Sequence, residues 1–134
     1  MPSPDFGTVA LVTVEENKDA FVVGLSEDQT GEGAYLILQC GLTEPSASDA
    51  ATGLDTYCLL DEEEAVQYGG VTRAALDGNI LTLSLNEEAA DELGLASRTI
   101  ILTVPGQDTG RLAEGLRRIF TYGNPENRPR LAGI

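Results

Sequence analysis

The chain has 134 residues, 42% of them hydrophobic and 22% charged, and its eight Lys and Arg against 22 Asp and Glu give a formal net charge of −14. That length supports one core rather than two, and that charge disfavours binding along a nucleic-acid backbone. Histidine is absent, which excludes Ser-His-Asp and Cys-His nucleophilic machinery, imidazole-bound metals and a histidine pH switch.

No run approaches the ~20 apolar residues of a membrane span, and Met1 to Thr8 lack the basic flank and apolar stretch of a signal peptide. The expectation is a cytoplasmic protein that binds neither membrane nor nucleic acid. The charge is lopsided: residues 1–97 carry Lys18 and Arg73 against 19 acids, whereas residues 98–134 carry six Arg against three acids. Such a field suits solubility and encounter with a basic partner alike.

In chain order, Thr8 to Val14 and Ala20 to Leu25 are β-branched and apolar around a polar turn at Glu15 to Asp19, the pattern of a hairpin. Ala34 to Cys40 is apolar at both alternating positions and reads as a central strand covered on both faces. Thr43 to Leu54 reads as a surface loop. Asp55 to Leu60 and Ala65 to Thr72 flank the acidic run Asp61-Glu62-Glu63-Glu64 as a second hairpin, and Asp77-Gly78 supplies a tight turn before Ile80 to Leu85. Asn86 is placed to cap a short helix with Glu87 and Glu88 in its first turn, Ala89, Ala90 and Leu93 inward, and Gly94 as its stop.

Thr99 to Val104 is a last strand, broken by Pro105-Gly106. A final helix starts at Asp108 as N-cap and sets Leu112, Leu116, Ile119 and Phe120 on one stripe, with Arg117 and Arg118 in its last turn. The reading is α+β: a mostly antiparallel sheet of about seven strands, one short helix, and a C-terminal helix packed on the sheet. Residues 1–123 form the single domain and 124–134 a loose tail. Leu36, Leu38, Leu83, Ile101, Leu116 and Phe120 are expected inside.

Few motifs carry chemistry. Cys40 and Cys58 fall in apolar strand patterns and read as small buried hydrophobes. Gly31-Glu-Gly33 lacks the third glycine and the following helix of a dinucleotide loop, and Asp28 to Glu32 lacks the spacing of a calcium loop. No cofactor, metal or catalytic residue is therefore assigned. Consecutive carboxylates at Asp61 to Glu64 point different ways into water, as a solvated turn or an acidic tip facing a partner. Gly69-Gly70 inside a strand pattern marks a bulge or a close approach by another group. Tyr57 and Tyr68 flank the acidic run with the rigid amphipathic surface enriched at interfaces, or else lie in the core. Tyr57, Asp61, Glu62, Glu63, Glu64, Tyr68, Gly69 and Gly70 are the candidate partner-binding residues.

Phe21-Val-Val-Gly-Leu-Ser-Glu-Asp28, Tyr35-Leu-Ile-Leu-Gln39, Gly53-Leu-Asp-Thr-Tyr-Cys58, Gln67-Tyr-Gly-Gly-Val71 and the stretch Ile80 to Leu95 follow one another with characteristic order and spacing. This succession resembles the Immunity protein 10 family, immunity proteins encoded beside bacterial polymorphic toxins, over about residues 6–104. The resemblance implies a non-enzymatic protein that binds and silences a cognate toxin with a basic surface, a nuclease or deaminase by analogy with other acidic immunity proteins. The alternative is a small ligand-binding module or enzyme with a carboxylate-lined pocket.

Overall fold

A computed structural model describes residues 7–18, 20–29, 33–43, 56–61, 66–94, 97–123 and 128–134. The fold is α+β and mostly antiparallel, as the patterning requires, but the described residues form nine strands in two sheets rather than about seven in one. The first sheet runs in chain order: β1 (Leu11–Glu16), β2 (Phe21–Ser26), β3 (Tyr35–Cys40), β4 (Cys58–Asp61) and β5 (Val66–Tyr68). The second comprises β6 (Val71–Asp77), β7 (Ile80–Leu85), β8 (Thr99–Thr103) and β9 (Arg130–Ala132), in the order β8-β7-β6-β9.

The extra sheet comes from Gly69-Gly70. The run Ala65 to Thr72 was expected to be one strand, yet these glycines adopt φ of 70° and 93°, a region closed to most side chains. The chain turns there, so that Val66–Tyr68 pairs with β4 and Val71 onward pairs with β7. At the opposite end the N-terminal segment ties the sheets together: Val9 donates its N–H to the Thr103 carbonyl and Ala10 to the Ser26 carbonyl, both at 2.8 Å.

The β6–β7 hairpin closes through Gly78-Asn79, one residue beyond the Asp77-Gly78 pair expected from sequence, with Asp77 opposite Ile80 and Gly78 at φ 60°. Residues 130–132, read as part of a loose tail, instead form β9 parallel to β6, with Ala74 opposite Leu131. The edge of β6 otherwise leaves ladder donors and acceptors unmatched, and three residues suffice to engage them. Gly133 makes the contact possible, because a side chain there would collide with the Leu76 carbonyl.

Two helices are described. In α1 (Glu87–Glu92), Asn86 Oδ1 accepts from the Ala89 N–H at 2.8 Å, Ala89 and Ala90 face inward and Gly94 follows at φ 68°. In α2 (Thr109–Phe120), Leu112, Leu116, Ile119 and Phe120 are fully buried. Asp108 stands at its N-cap position but is helical and makes no capping bond; a 3-10 turn over Gly106–Asp108 leads into the helix, and the Asp108 carboxylate pairs with Arg111 at 2.9 Å.

Helix α2 lies on the face of the first sheet formed by Val12, Val14, Phe21, Val23, Leu25, Leu36 and Leu38. It approaches closely at Gly115, where a Cβ would stand 3.0 Å from Val23 Cγ2 and 3.2 Å from Val14 Cγ1. The inward residues of the second sheet, Ala74, Leu76, Leu81, Leu83, Ile100 and Leu102, join the same core. Ile101, expected inside, is 56% exposed. Ile100-Ile-Leu102 is apolar at both parities, and the register Leu83↔Ile100, Leu81↔Leu102 turns the even-numbered residues inward.

Candidate functional site

Of the eight residues marked by the sequence, the five that are described separate in the fold. Tyr57 belongs to the core: it is 0% exposed, its ring meets Phe120 edge-on at 5.1 Å between centroids, and its hydroxyl accepts from the Val71 N–H at 3.1 Å. The hydroxyl also lies 3.4 Å from the Val71 carbonyl. Tyr57 thus ties the first sheet to the first residue of the second. Burial pushes its phenol up to about 12, with the Val71 backbone contact pulling the other way.

Asp61 is only 2% exposed and lies opposite Leu36, on the same face as the core residues, so it is not part of a solvated tip. Burial of these two residues has one cause. The β4 register places Leu59 and Asp61 on the inward parity, and Tyr57 immediately before β4 continues it. Glu62, Glu63 and Glu64 lie outside the described residues.

Tyr68 is 42% exposed at the end of β5, and Val66 beside it is 43% exposed. The close approach signalled by Gly69-Gly70 is made within the chain: a Cβ on Gly70 would stand 2.5 Å from the Ala89 Cβ of α1. The Asn86 N–H donates to the Gly70 carbonyl at 2.9 Å, fixing α1 beside this corner. Helix α1, held against β5 at this corner, carries Glu87, Glu88, Asp91 and Glu92, all exposed, with Glu87 meeting Arg98 at 3.2 Å. Sequence reasoning used Glu87 and Glu88 only as partners of the helix dipole. Four acids in the six residues Glu87 to Glu92 were the available signal for an acidic helix, and its place beside the double glycine follows only from the fold.

The cysteines are reactive at neither position. Cys40 and Cys58 are free and buried, and since Cys58 pairs with Gln39 in the ladder, the two thiols occupy opposite faces of the sheet. Burial pushes the Cys40 thiol up to about 11 although the Arg118 charge opposes it, and raises Cys58 against a hydrogen bond from the Gln39 side chain. Both stay protonated thiols, poor nucleophiles. Arg118 is itself engaged, 4.1 Å over the Phe21 ring and 2.7 Å from Glu16. Among the described residues no group of three Cys, Asp or Glu is placed to hold a metal, and no helix is long and apolar enough to cross a membrane.

A second surface was not marked by the sequence. Strand β3, expected to be covered on both faces, is the middle strand of the first sheet, and α2 covers one face. The other face carries Leu11, Val22, Ile37, Leu60, Val66 and Tyr68, which the registers Val22↔Gln39, Ile37↔Leu60 and Leu60↔Val66 place on one side. Leu11 is 39% exposed and Val22, Ile37 and Leu60 are half-buried. A groove of about 320 Å³ runs over Gly24 between Leu11 and Thr13 on one side and Tyr35 and Ile37 on the other.

No curated protein and no solved structure matches the chain. The family model described as Immunity protein 10 matches residues 8–110, from the segment that ties the two sheets together to the first residues of α2. That span holds β1 to β8 and α1, the whole of the acidic corner and of the apolar sheet face. On that match the chain belongs to the Immunity protein 10 family.

Proposed function

We propose that this chain neutralises a cognate toxin by binding it, without chemistry of its own, and that the acidic corner at β4, β5 and α1 steers the encounter. Family membership carries the reading. The acids support the choice of corner: Glu87, Glu88, Asp91 and Glu92 are exposed on α1, which packs against β5, and Glu62, Glu63 and Glu64 join β4 to β5 in the sequence. Carboxylates so grouped complement a basic surface, and a nuclease or deaminase toxin offers one in the channel that otherwise takes nucleic-acid phosphates.

The binding residues from the sequence divide accordingly. Glu62, Glu63, Glu64 and Tyr68 are the direct contacts in this reading, Gly69 and Gly70 shape the corner, and Tyr57 and Asp61 support it from within. The test is binding kinetics with the purified cognate toxin domain, at two ionic strengths. Replacing Glu62, Glu63 and Glu64 together by Gln is expected to slow association about tenfold at low salt and to flatten its salt dependence, since rim charges act mainly on the on-rate. Tyr68→Ala is expected to speed dissociation. An association rate unchanged in the triple variant removes the steering role.

A further inference from the structure

We infer that the toxin docks on the outer face of the first sheet, centred on the groove over Gly24, and that the groove receives an apolar side chain offered from a basic surface. This inference rests on the toxin-binding reading above and gives it a contact face. An antiparallel sheet with one solvated face ordinarily alternates apolar inward and polar outward. Here the outward parity carries the apolar Leu11, Val22, Ile37, Leu60, Val66 and Tyr68 among the polar Thr13, Glu15, Ser26 and Gln39, and Ile37, Leu60 and Val66 are successive cross-strand neighbours, an apolar patch of the kind that marks interaction sites.

Gly24 is the second observation. It lies in the interior of β2, opposite Thr13 and Ile37, where glycine weakens a strand relative to alanine. The fold does not require it. Its φ is ordinary for any residue, and an added Cβ would meet Thr13 Cβ at 3.6 Å, a normal contact. This separates Gly24 from Gly70, whose φ is positive and whose Cβ would press on Ala89, and from Gly115, wedged against Val23 and Val14. What the missing side chain provides is the groove itself, and a glycine inside a strand often marks where another molecule comes close. An apolar side chain seated in a desolvated pocket is the usual form of an interface hot spot.

Charge selects the partner. Among the described residues none of the eight Lys and Arg occupies a position on this face, whereas Glu15 does, opposite Val22. Arg111, Arg117 and Arg118 belong to α2, and Arg73 and Arg130 to the second sheet. A second copy of the chain would bring two molecules of net charge −14 together through like-charged rims, so a partner with a basic rim fits the face and a homodimer does not.

The experiment measures affinity and dissociation rate for the purified cognate toxin domain, with thermal melts of each variant. Gly24→Leu fills the groove; its melting temperature is expected to hold or rise while toxin affinity falls at least 30-fold. Ile101→Lys, on the exposed face of the second sheet, is expected to change affinity less than threefold. Should Gly24→Leu not fold, the double variant Leu11→Lys, Val66→Lys, at positions already open to solvent, decides with the same expectation. If the wild-type chain fails to bind the toxin, the immunity reading itself falls. If it binds and the folded groove variant binds equally well, the docking face is overturned while that reading stands. Sedimentation of the wild-type chain as a dimer that Gly24→Leu dissolves assigns the face to self-association and overturns the proposal as well.

Discussion

The two faces of the first sheet are built from the same five strands and both carry large apolar residues, the outer one among Thr13, Glu15, Ser26 and Gln39, yet they differ in what covers them. The inner face, Val12, Phe21, Val23, Leu25, Leu36, Leu38 and Leu59, is sealed by α2 and by contact with the second sheet's core. The outer face, Val22, Ile37, Leu60, Leu11, Val66 and Tyr68, is half-buried or exposed. The apolar pattern of a strand therefore states that cover is needed, not where the cover comes from. An inner residue is stabilised by its own chain on folding; an outer one gains the remainder of its burial only on association, where about 25 cal/mol applies to each further Å² of apolar surface removed from water.

Mutations measure that difference directly. Leu116→Ala, in the stripe of α2 that seals the inner face, is expected to cost about 2 to 5 kcal/mol in a denaturant titration, the usual loss for a fully buried leucine. Leu60→Ala on the outer face is expected to cost less than half as much, and equal losses would break the contrast between the faces. Tyr57→Phe keeps the ring against Phe120 but leaves the Val71 N–H unpaired inside the core, at an expected cost of about 1 to 3 kcal/mol.

The pH dependence reports burial rather than face, because the groups with raised pKa are the buried ones, Cys58 on the outer parity among them. Cys40 rises from 9.0 to about 11 and Tyr57 from 10.0 to about 12. The unfolded chain releases these protons first, so their contribution is complete below pH 9 and is lost as pH rises through the window 9 to 12. Tyr57→Phe is expected to flatten the upper part of the fall and Cys40→Ala the lower part; unchanged slopes would assign the fall to other groups. The smallest effect is expected at Arg98→Ala, which removes a solvent-exposed pair with Glu87 and should shift stability by no more than about 0.5 kcal/mol.

The elements that obey a single local rule were legible in the sequence. The Asn86 cap with Gly94 after α1, the β1–β2 hairpin and the Leu112 to Phe120 stripe each need only a few neighbouring residues; the cap and the stripe stand in the fold as read, and the hairpin stands with a shorter turn, since Glu15 and Glu16 pair within β1. What could not be read depends on pairing across distance. Gly69-Gly70 looks alike as a bulge and as a corner between sheets, and only the competing partners β4 and β7 decide. Ile100 and Ile101 are equally apolar, so their parity waits on the register with β7. Arg130 to Ala132 have no strand signature of their own and gain their conformation from the edge of β6. Within the candidate site, Tyr68 was legible as a surface residue, whereas Tyr57 and Asp61 were not legible as buried. An amphipathic ring and a carboxylate in an acidic run look exposed until the register of β4 turns them inward.

Arg111 bears on colloidal behaviour rather than on folding. The β2–β3 ladder uses the backbone of Phe21, Val23 and Leu25, since Glu27 N–H bonds the Ala34 carbonyl in the same register, which leaves Val22, Gly24 and Ser26 to pair with β1. By alternation the Val12 and Val14 backbone groups point away from the sheet. The Arg111 guanidinium donates to the Val12 carbonyl at 2.8 Å and carries a positive charge onto that outer rim of β1. A foreign strand adding there must displace a charged group already bonded, which is one way native proteins keep open ladders from polymerising. The same −14 charge that suits a basic partner keeps copies of the chain apart in solution, and Arg111 guards the β1 edge, where short-range strand-upon-strand bonding can outcompete that repulsion. Arg111→Ala is therefore expected to leave the monomer folded and yet raise the rate at which concentrated samples form β-rich aggregates, followed by light scattering and thioflavin fluorescence.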